Sequence, residues 1–118
     1  MGMRREIPPR VQQLLKQLND MQKTYQNITL QKQQIELSLI ETKNALEAIK
    51  KSDDKYVYRI VGGVFIRLEK EEVLNELEET VKLLQTRVDI LSNQEKKLIE
   101  DMKKIEEDIQ REMGGRPQ

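Results

Sequence analysis

The side chains able to do chemistry in this chain are carboxylates, amines, guanidinium groups and phenols: 21 Asp and Glu, 21 Lys and Arg and three Tyr, with no Cys and no His. Without Cys there is no thiolate nucleophile and no disulfide, and without His there is neither an imidazole base nor a Cys/His zinc site. Paired carboxylates remain as a conceivable general acid and base, but that chemistry needs a concave apolar pocket to separate their pKa values, and nothing in the sequence builds one. Gly62-Gly63 is not followed by the Lys-Ser/Thr of a phosphate loop. The reading is a protein that is not an enzyme and carries no cofactor and no metal. What its residues can do is bind.

The elements that must position those residues are long helices. Only 36% of the chain is hydrophobic while 36% is charged, with one Phe and no Trp, a poor stock for a compact core. The apolar residues nevertheless recur at helical spacing instead of scattering as in a disordered chain. One seam runs Val11, Leu14, Leu18, Met21, Tyr25, Ile28, Lys32, Ile35, Leu39, Thr42, Leu46 and Ile49, in alternating steps of three and four. A second runs Leu74, Leu77, Val81, Leu84, Val88, Leu91, Glu95, Leu98, Met102, Ile105, Ile109 and Glu112. Such seams are those of a coiled coil. A helix over about 9–51 and another over about 69–113 would each be roughly 60 Å long. The short connection between them brings the second helix back antiparallel to the first. The fold class is therefore mainly α, a long antiparallel two-helix coiled coil interrupted by one central β-hairpin, all within a single domain over 1–118.

Charge and helix ends agree with this pairing. Residues 1–50 carry eight basic and five acidic residues, a net +3, whereas residues 69–112 carry eight and fourteen, a net −6. Opposite signs suit neighbouring helices and bear on register and partner choice more than on stability. Pairing about a midpoint near residues 61 and 62 places the seam charges Lys32 and Glu95 about one turn apart. They either penalise slipped registers or snorkel out of a slack seam. Pro8-Pro9 suits a helix start, Lys50-Lys51 a helix end, and Glu69, Glu71 and Glu72 the start of the second helix, which Gly114-Gly115 ends before a flexible tail at 114–118. There is no basic stripe with an aromatic platform for nucleic acid, no membrane span and no apolar signal segment. A cytoplasmic protein is expected.

Between the helices, residues 56–68 read as a β-hairpin. A two-residue turn at Gly62-Gly63 sets Val61 against Val64, Ile60 against Phe65, Arg59 against Ile66, Tyr58 against Arg67 and Val57 against Leu68. One face then carries Val57, Val61, Val64, Ile66 and Leu68 with Arg59, and the other carries Tyr56, Tyr58, Ile60 and Phe65 with Arg67. Two strands alone are marginal in water, and both faces and both edges of this hairpin ask for cover. Oligomerisation through an intersubunit β-barrel supplies it. The alternative is a hairpin folded back on its own helices.

Helix, single hairpin and equal returning helix, with Tyr58-Arg-Ile-Val-Gly-Gly-Val-Phe-Ile66 at the hairpin, resemble the prefoldin β subunit. The opening Ile7-Pro-Pro-Arg-Val-Gln12 and the stretch from Arg87 through Glu95-Lys-Lys-Leu98 look like its archaeal form. The resemblance implies a heterohexamer of two α-type subunits and four copies of this one, joined through the hairpins. It also implies ATP-independent capture of unfolded polypeptides at the coiled-coil tips and their delivery to a group II chaperonin. The antiparallel fold brings both termini to the end away from the hairpin, so the implied client-binding residues are Ile7, Val11, Leu14, Leu15 and Leu18 with Leu98, Met102, Ile105, Ile109 and Met113. Nonspecific apolar burial, aided by adaptable Met side chains, is the physics such capture needs. Read from the residues alone, most of these ten are ordinary seam, with Leu15 and Met113 lying off it. The nearby Glu100, Asp101, Glu106, Glu107, Asp108 and Glu112 are either a solvated face or a means of steering toward a basic chaperonin surface. A coiled-coil scaffold or filament subunit assembled through the same hairpin is the competing function.

Overall fold

The computed structural model describes residues 6–114. Helix α1 spans Pro9–Lys51, strands β1 and β2 span Tyr56–Val61 and Val64–Glu69, and helix α2 spans Lys70–Glu112. The strands form one antiparallel two-stranded sheet. Its register is the expected one, from Val57 opposite Leu68 to Val61 opposite Val64. It runs one pair further, because Tyr56 pairs with Glu69, and so Glu69 closes β2 where the second helix was expected to begin. At the other end α2 stops at Glu112, one residue short of expectation, with Met113 in a turn. The rest of the expected tail, residues 115–118, lies outside the described residues.

Local chemistry accounts for these boundaries. Pro9 opens α1, where its missing N–H costs nothing, and the Gln12 amide Nε2 donates to the Ile7 carbonyl at 3.1 Å across the first turn. Lys50 and Lys51 occupy the last turn, and Ser52 N donates to the Ile49 carbonyl as the helix ends. The Ser52 hydroxyl then accepts from Asp54 N at 3.2 Å, turning the chain toward β1. Gly62 and Gly63 have φ of 55° and 78°. Both are left-handed, as the hairpin turn that follows the natural strand twist demands. Gly114, at φ 80°, caps α2 while its N–H reaches the Arg111 carbonyl.

The chain groups into two compact units, residues 1–31 with 91–118, and residues 32–90. In the first, the terminal unit, Val11 is 1% exposed, Leu14, Leu91 and Ile105 are buried, and Leu18, Met21, Tyr25, Ile28, Leu98, Met102 and Ile109 are half-buried. In the second, the hairpin unit, Leu39, Val73 and Val88 are buried and the remaining seam residues half-buried. Every expected seam position is thus withdrawn from water except Glu112, which is exposed and pairs with Arg10 at 3.3 Å. A shallow two-helix contact explains why half-burial is the rule. Each seam residue meets one partner helix and has solvent on the far side.

Two polar seam positions are accommodated differently. Thr42 satisfies its hydroxyl within its own helix, donating to the Ser38 carbonyl at 2.7 Å. Glu95, half-buried, accepts from the Thr29 hydroxyl at 2.7 Å. No buried side-chain N or O among the described residues lacks a partner, as a stable fold of this polarity requires.

Candidate functional site

The hairpin projects apolar side chains into solvent. On one face Tyr58, Ile60 and Phe65 are exposed, Phe65 at 70%, and on the other Val61, Val64 and Ile66 are exposed. Only Val57 and Leu68, a cross-strand pair at its base, are half-buried. It does not fold back to bury itself, yet its root is firmly held. Arg59 Nη2 donates to Glu76 Oε2 of α2 at 2.9 Å, the Arg67 guanidinium stacks 4.5 Å from the Tyr56 ring centroid, and Lys70 N donates to the Lys55 carbonyl at 2.8 Å. The Lys70 ammonium also reaches the Ser52 carbonyl. The apolar faces on both sides of this two-stranded sheet, and its edges, are thus left uncovered by the chain's own described residues.

Sequence reasoning did not single out the anchors at this root. Val73 was missed because it lies one residue before the regular seam, yet it is 6% exposed where α2 leaves the sheet. Arg59 was visible as an odd charge on an apolar face, but its partner Glu76 is seventeen residues away and only the tertiary fold reveals it. A cleft of about 580 Å³ beside the root is lined by Asp53, Asp54, Lys55, Tyr56, Glu69, Lys70 and Glu71. Charges of both signs line it, and among the described residues no group of acidic side chains is arranged to hold a metal ion.

At the terminal unit, Arg10 and Glu112 join the start of α1 to the end of α2. The ten residues expected at the tips divide into three classes there. Val11, Leu14 and Ile105 are buried, Leu18, Leu98, Met102 and Ile109 are half-buried, and Ile7, Leu15 and Met113 are exposed at 44%, 41% and 48%. Ile7, Pro8, Met113 and Gly114, with Glu6 and Glu112, line a cleft of about 330 Å³. Ile99, 39% exposed, belongs with the exposed class and was not anticipated, because a single apolar residue beside a seam carries no periodic signal. Of the six acidic residues on this stretch of α2, Asp101 pairs with Lys97 at 3.1 Å, Asp108 with Arg111, and Glu112 with Arg10. Among the described residues no helix is long and apolar enough to cross a membrane.

Comparison with known proteins gives a consistent pattern. Residues 12–116 match the profile of the family described as Prefoldin subunit. The chain is 41% identical over 73 residues to a prefoldin subunit beta of Archaeoglobus fulgidus, covering 61% of this chain and 63% of that one. It is 42% identical over 73 residues to the counterpart in Pyrococcus furiosus, covering 61% and 62%. The matched stretch is thus less than two thirds of these relatives' own length. In three dimensions the chain is similar to the crystal structure of the prefoldin beta subunit from Thermococcus strain KS-1, with a TM-score of 0.85 and 37% identity over 98% of this chain and 100% of that one. The beta2 subunit from the same strain shares the fold, at a TM-score of 0.66 and 21% identity over 76% of this chain and 97% of that one.

Proposed function

Because this chain belongs to the prefoldin subunit family, we propose that it is a non-enzymatic, ATP-independent chaperone subunit that captures unfolded polypeptides where the two helix ends meet. In this reading it assembles through its hairpin with further copies of itself and with prefoldin α-type subunits, as a hexamer of two α and four β subunits in the cytoplasm, and passes its clients to a group II chaperonin. The observation that carries the reading is the division of labour among apolar residues. Val11, Leu14 and Ile105 close the seam, while Ile7, Leu15 and Met113 stay in water at the same end of the molecule's chain termini. Holding unfolded chains requires exposed apolar area on a scaffold that does not itself collapse, and a closed seam with apolar residues left outside it meets both needs. Each contact is weak alone. Several subunits gripping one client combine their contacts by avidity.

The test is light scattering from a denatured client diluted into the complex purified through this chain, without nucleotide. Suppressed aggregation that is lost in the Leu15→Ser, Met113→Ser double variant supports capture. A stable assembly that never suppresses aggregation would return the protein to the role of a structural scaffold.

A further inference from the structure

We infer that capture in the terminal unit is one-sided, on the side bearing Leu15, Ile99 and Met113, and that this side receives an extended, apolar polypeptide segment of about six residues. The inference rests on the capture reading above and adds to it a face and a mode of recognition.

In an antiparallel coiled coil, the positions that immediately follow the second residue of each seam repeat come together on one side of the helix pair. The structure obeys this: Lys50, following Ile49, and Glu78, following Leu77, approach to 4.0 Å. Leu15 follows Leu14, Ile99 follows Leu98 and Met113 follows Glu112. Met113 lies one residue past α2 but keeps the helical bond of its N–H to the Ile109 carbonyl at 2.9 Å, so all three line the same side, and all three are exposed. The ion pair between Arg10 and Glu112 and the hydrogen bond from Thr29 to Glu95 give the pairing level. On that level Met113 lies beside the start of α1, Leu15 about one turn further and Ile99 beyond it. The three span roughly 20 Å along the axis at 1.5 Å per residue, the length of about six residues of extended chain.

The two sides differ in charge. Along this side α1 presents Gln12, Leu15, Asn19, Gln22, Gln26 and Thr29, with no ionisable group among them. The Gln12 amide is engaged with the Ile7 carbonyl, whereas Asn19, Gln22 and Gln26 are exposed between the apolar residues. From α2 this side receives Lys96, Lys103 and Glu106. The opposite side carries the ion pairs of Lys97 with Asp101 and of Arg111 with Asp108, and Arg10 reaches Glu112 there. An ion-paired side is strongly hydrated and costs desolvation to cover. The Leu15 side has fewer charges to desolvate, and although exposed carboxamides stand on both sides, Gln13, Gln17 and Asn27 on the other, only here do they lie between exposed apolar residues and so complement an unfolded chain. An extended segment carries a backbone donor and acceptor at every non-proline residue, and a carboxamide supplies two donors and an acceptor. Leu15, Ile99 and Met113 take up apolar side chains while Asn19, Gln22 and Gln26 satisfy the backbone beside them. Recognition of this kind is indifferent to client sequence.

The test measures binding of fluorescently labelled, reduced and carboxymethylated α-lactalbumin, a permanently unfolded probe, to the assembled complex by anisotropy. Leu15→Ser with Ile99→Ser should weaken binding at least tenfold, and Gln13→Ser with Gln17→Ser, on the opposite side, should change it less than twofold. Asn19→Ala with Gln22→Ala removes the amides while favouring the helix, and should weaken binding about threefold to tenfold with no loss of thermal stability. Equal losses from the two sides would overturn the one-sided reading, and unchanged or tighter binding in the Ala variant would overturn the role of the amides. A wild-type complex that binds no probe overturns the capture reading itself. Normal wild-type binding with unaffected Ser variants overturns only the inference drawn here.

Discussion

Ile60 and Phe65 face each other across the hairpin and are 65% and 70% exposed, so they measure what the proposed assembly through the hairpin would bury. Fully burying a large apolar side chain is worth about 1.5–3 kcal/mol. Two such residues with about two thirds of their surface still to be covered therefore represent about 2–4 kcal/mol per hairpin on that scale. At about 1.4 kcal/mol per tenfold, Ile60→Ser with Phe65→Ser should weaken subunit association roughly 30- to 700-fold. The same exposure means that the isolated chain loses little, because neither side chain contributes to its core. The assay is sedimentation equilibrium of the variant with an α-type subunit, alongside circular dichroism of the chain alone. Expected is a loss of the large assembly with helical content retained. Assembly of unchanged affinity would refute the argument, since it would place the subunit interface somewhere other than the exposed hairpin face.

Three further outcomes test the fold. Ile90 and Leu91 are neighbours at 51% and 9% exposure, so Leu91→Ala should cost about 2–3 kcal/mol and Ile90→Ala about 0.5 kcal/mol or less, read as the difference in thermal midpoints of the full chain. Equal shifts would contradict the seam. Thr29→Val leaves the half-buried Glu95 without its hydroxyl donor and should destabilise by about 1–2 kcal/mol, with Thr29→Ser restoring most of the loss in the same denaturation experiment. At the turn, an added Cβ at Gly62 or Gly63 would meet nothing within 4 Å, so the cost of Gly62→Ala with Gly63→Ala is conformational, about 1–2 kcal/mol per residue for the left-handed backbone. Hydrogen exchange of the Arg59 and Ile66 amides, which face each other as a hydrogen-bonded pair of the ladder, should quicken in that variant while exchange around Leu39 and Val88 stays slow.

Much of this molecule was legible in advance because its regularities are periodic. Steps of three and four expose the seam residue by residue, and Gly62-Gly63 between two β-branched runs sets a hairpin register that admits no slip. The elements went undetected where the signal was a single residue. Val73 sits off the repeat and Ile99 sits beside it, and Glu69 was assigned to the helix by its acidity when its pairing with Tyr56 placed it in the strand. Of the ten residues expected at the tips, periodicity could put all of them at one end of the chain's pairing. It could not divide them into those that close the seam and those left in water.

The amino-acid sequence by itself determined the absence of Cys and His chemistry, the two helices, the hairpin and its register, since these depend on composition and on spacings within one stretch of chain. Tertiary structure alone decided that Arg59 is held by Glu76, that Thr29 answers Glu95, that Arg10 closes on Glu112, and that Ile7, Leu15, Ile99 and Met113 remain exposed. The physical reason is that burial and ion pairing belong to pairs of surfaces. A helix specifies which of its faces is apolar, but how much of that face is covered depends on the helix that returns beside it.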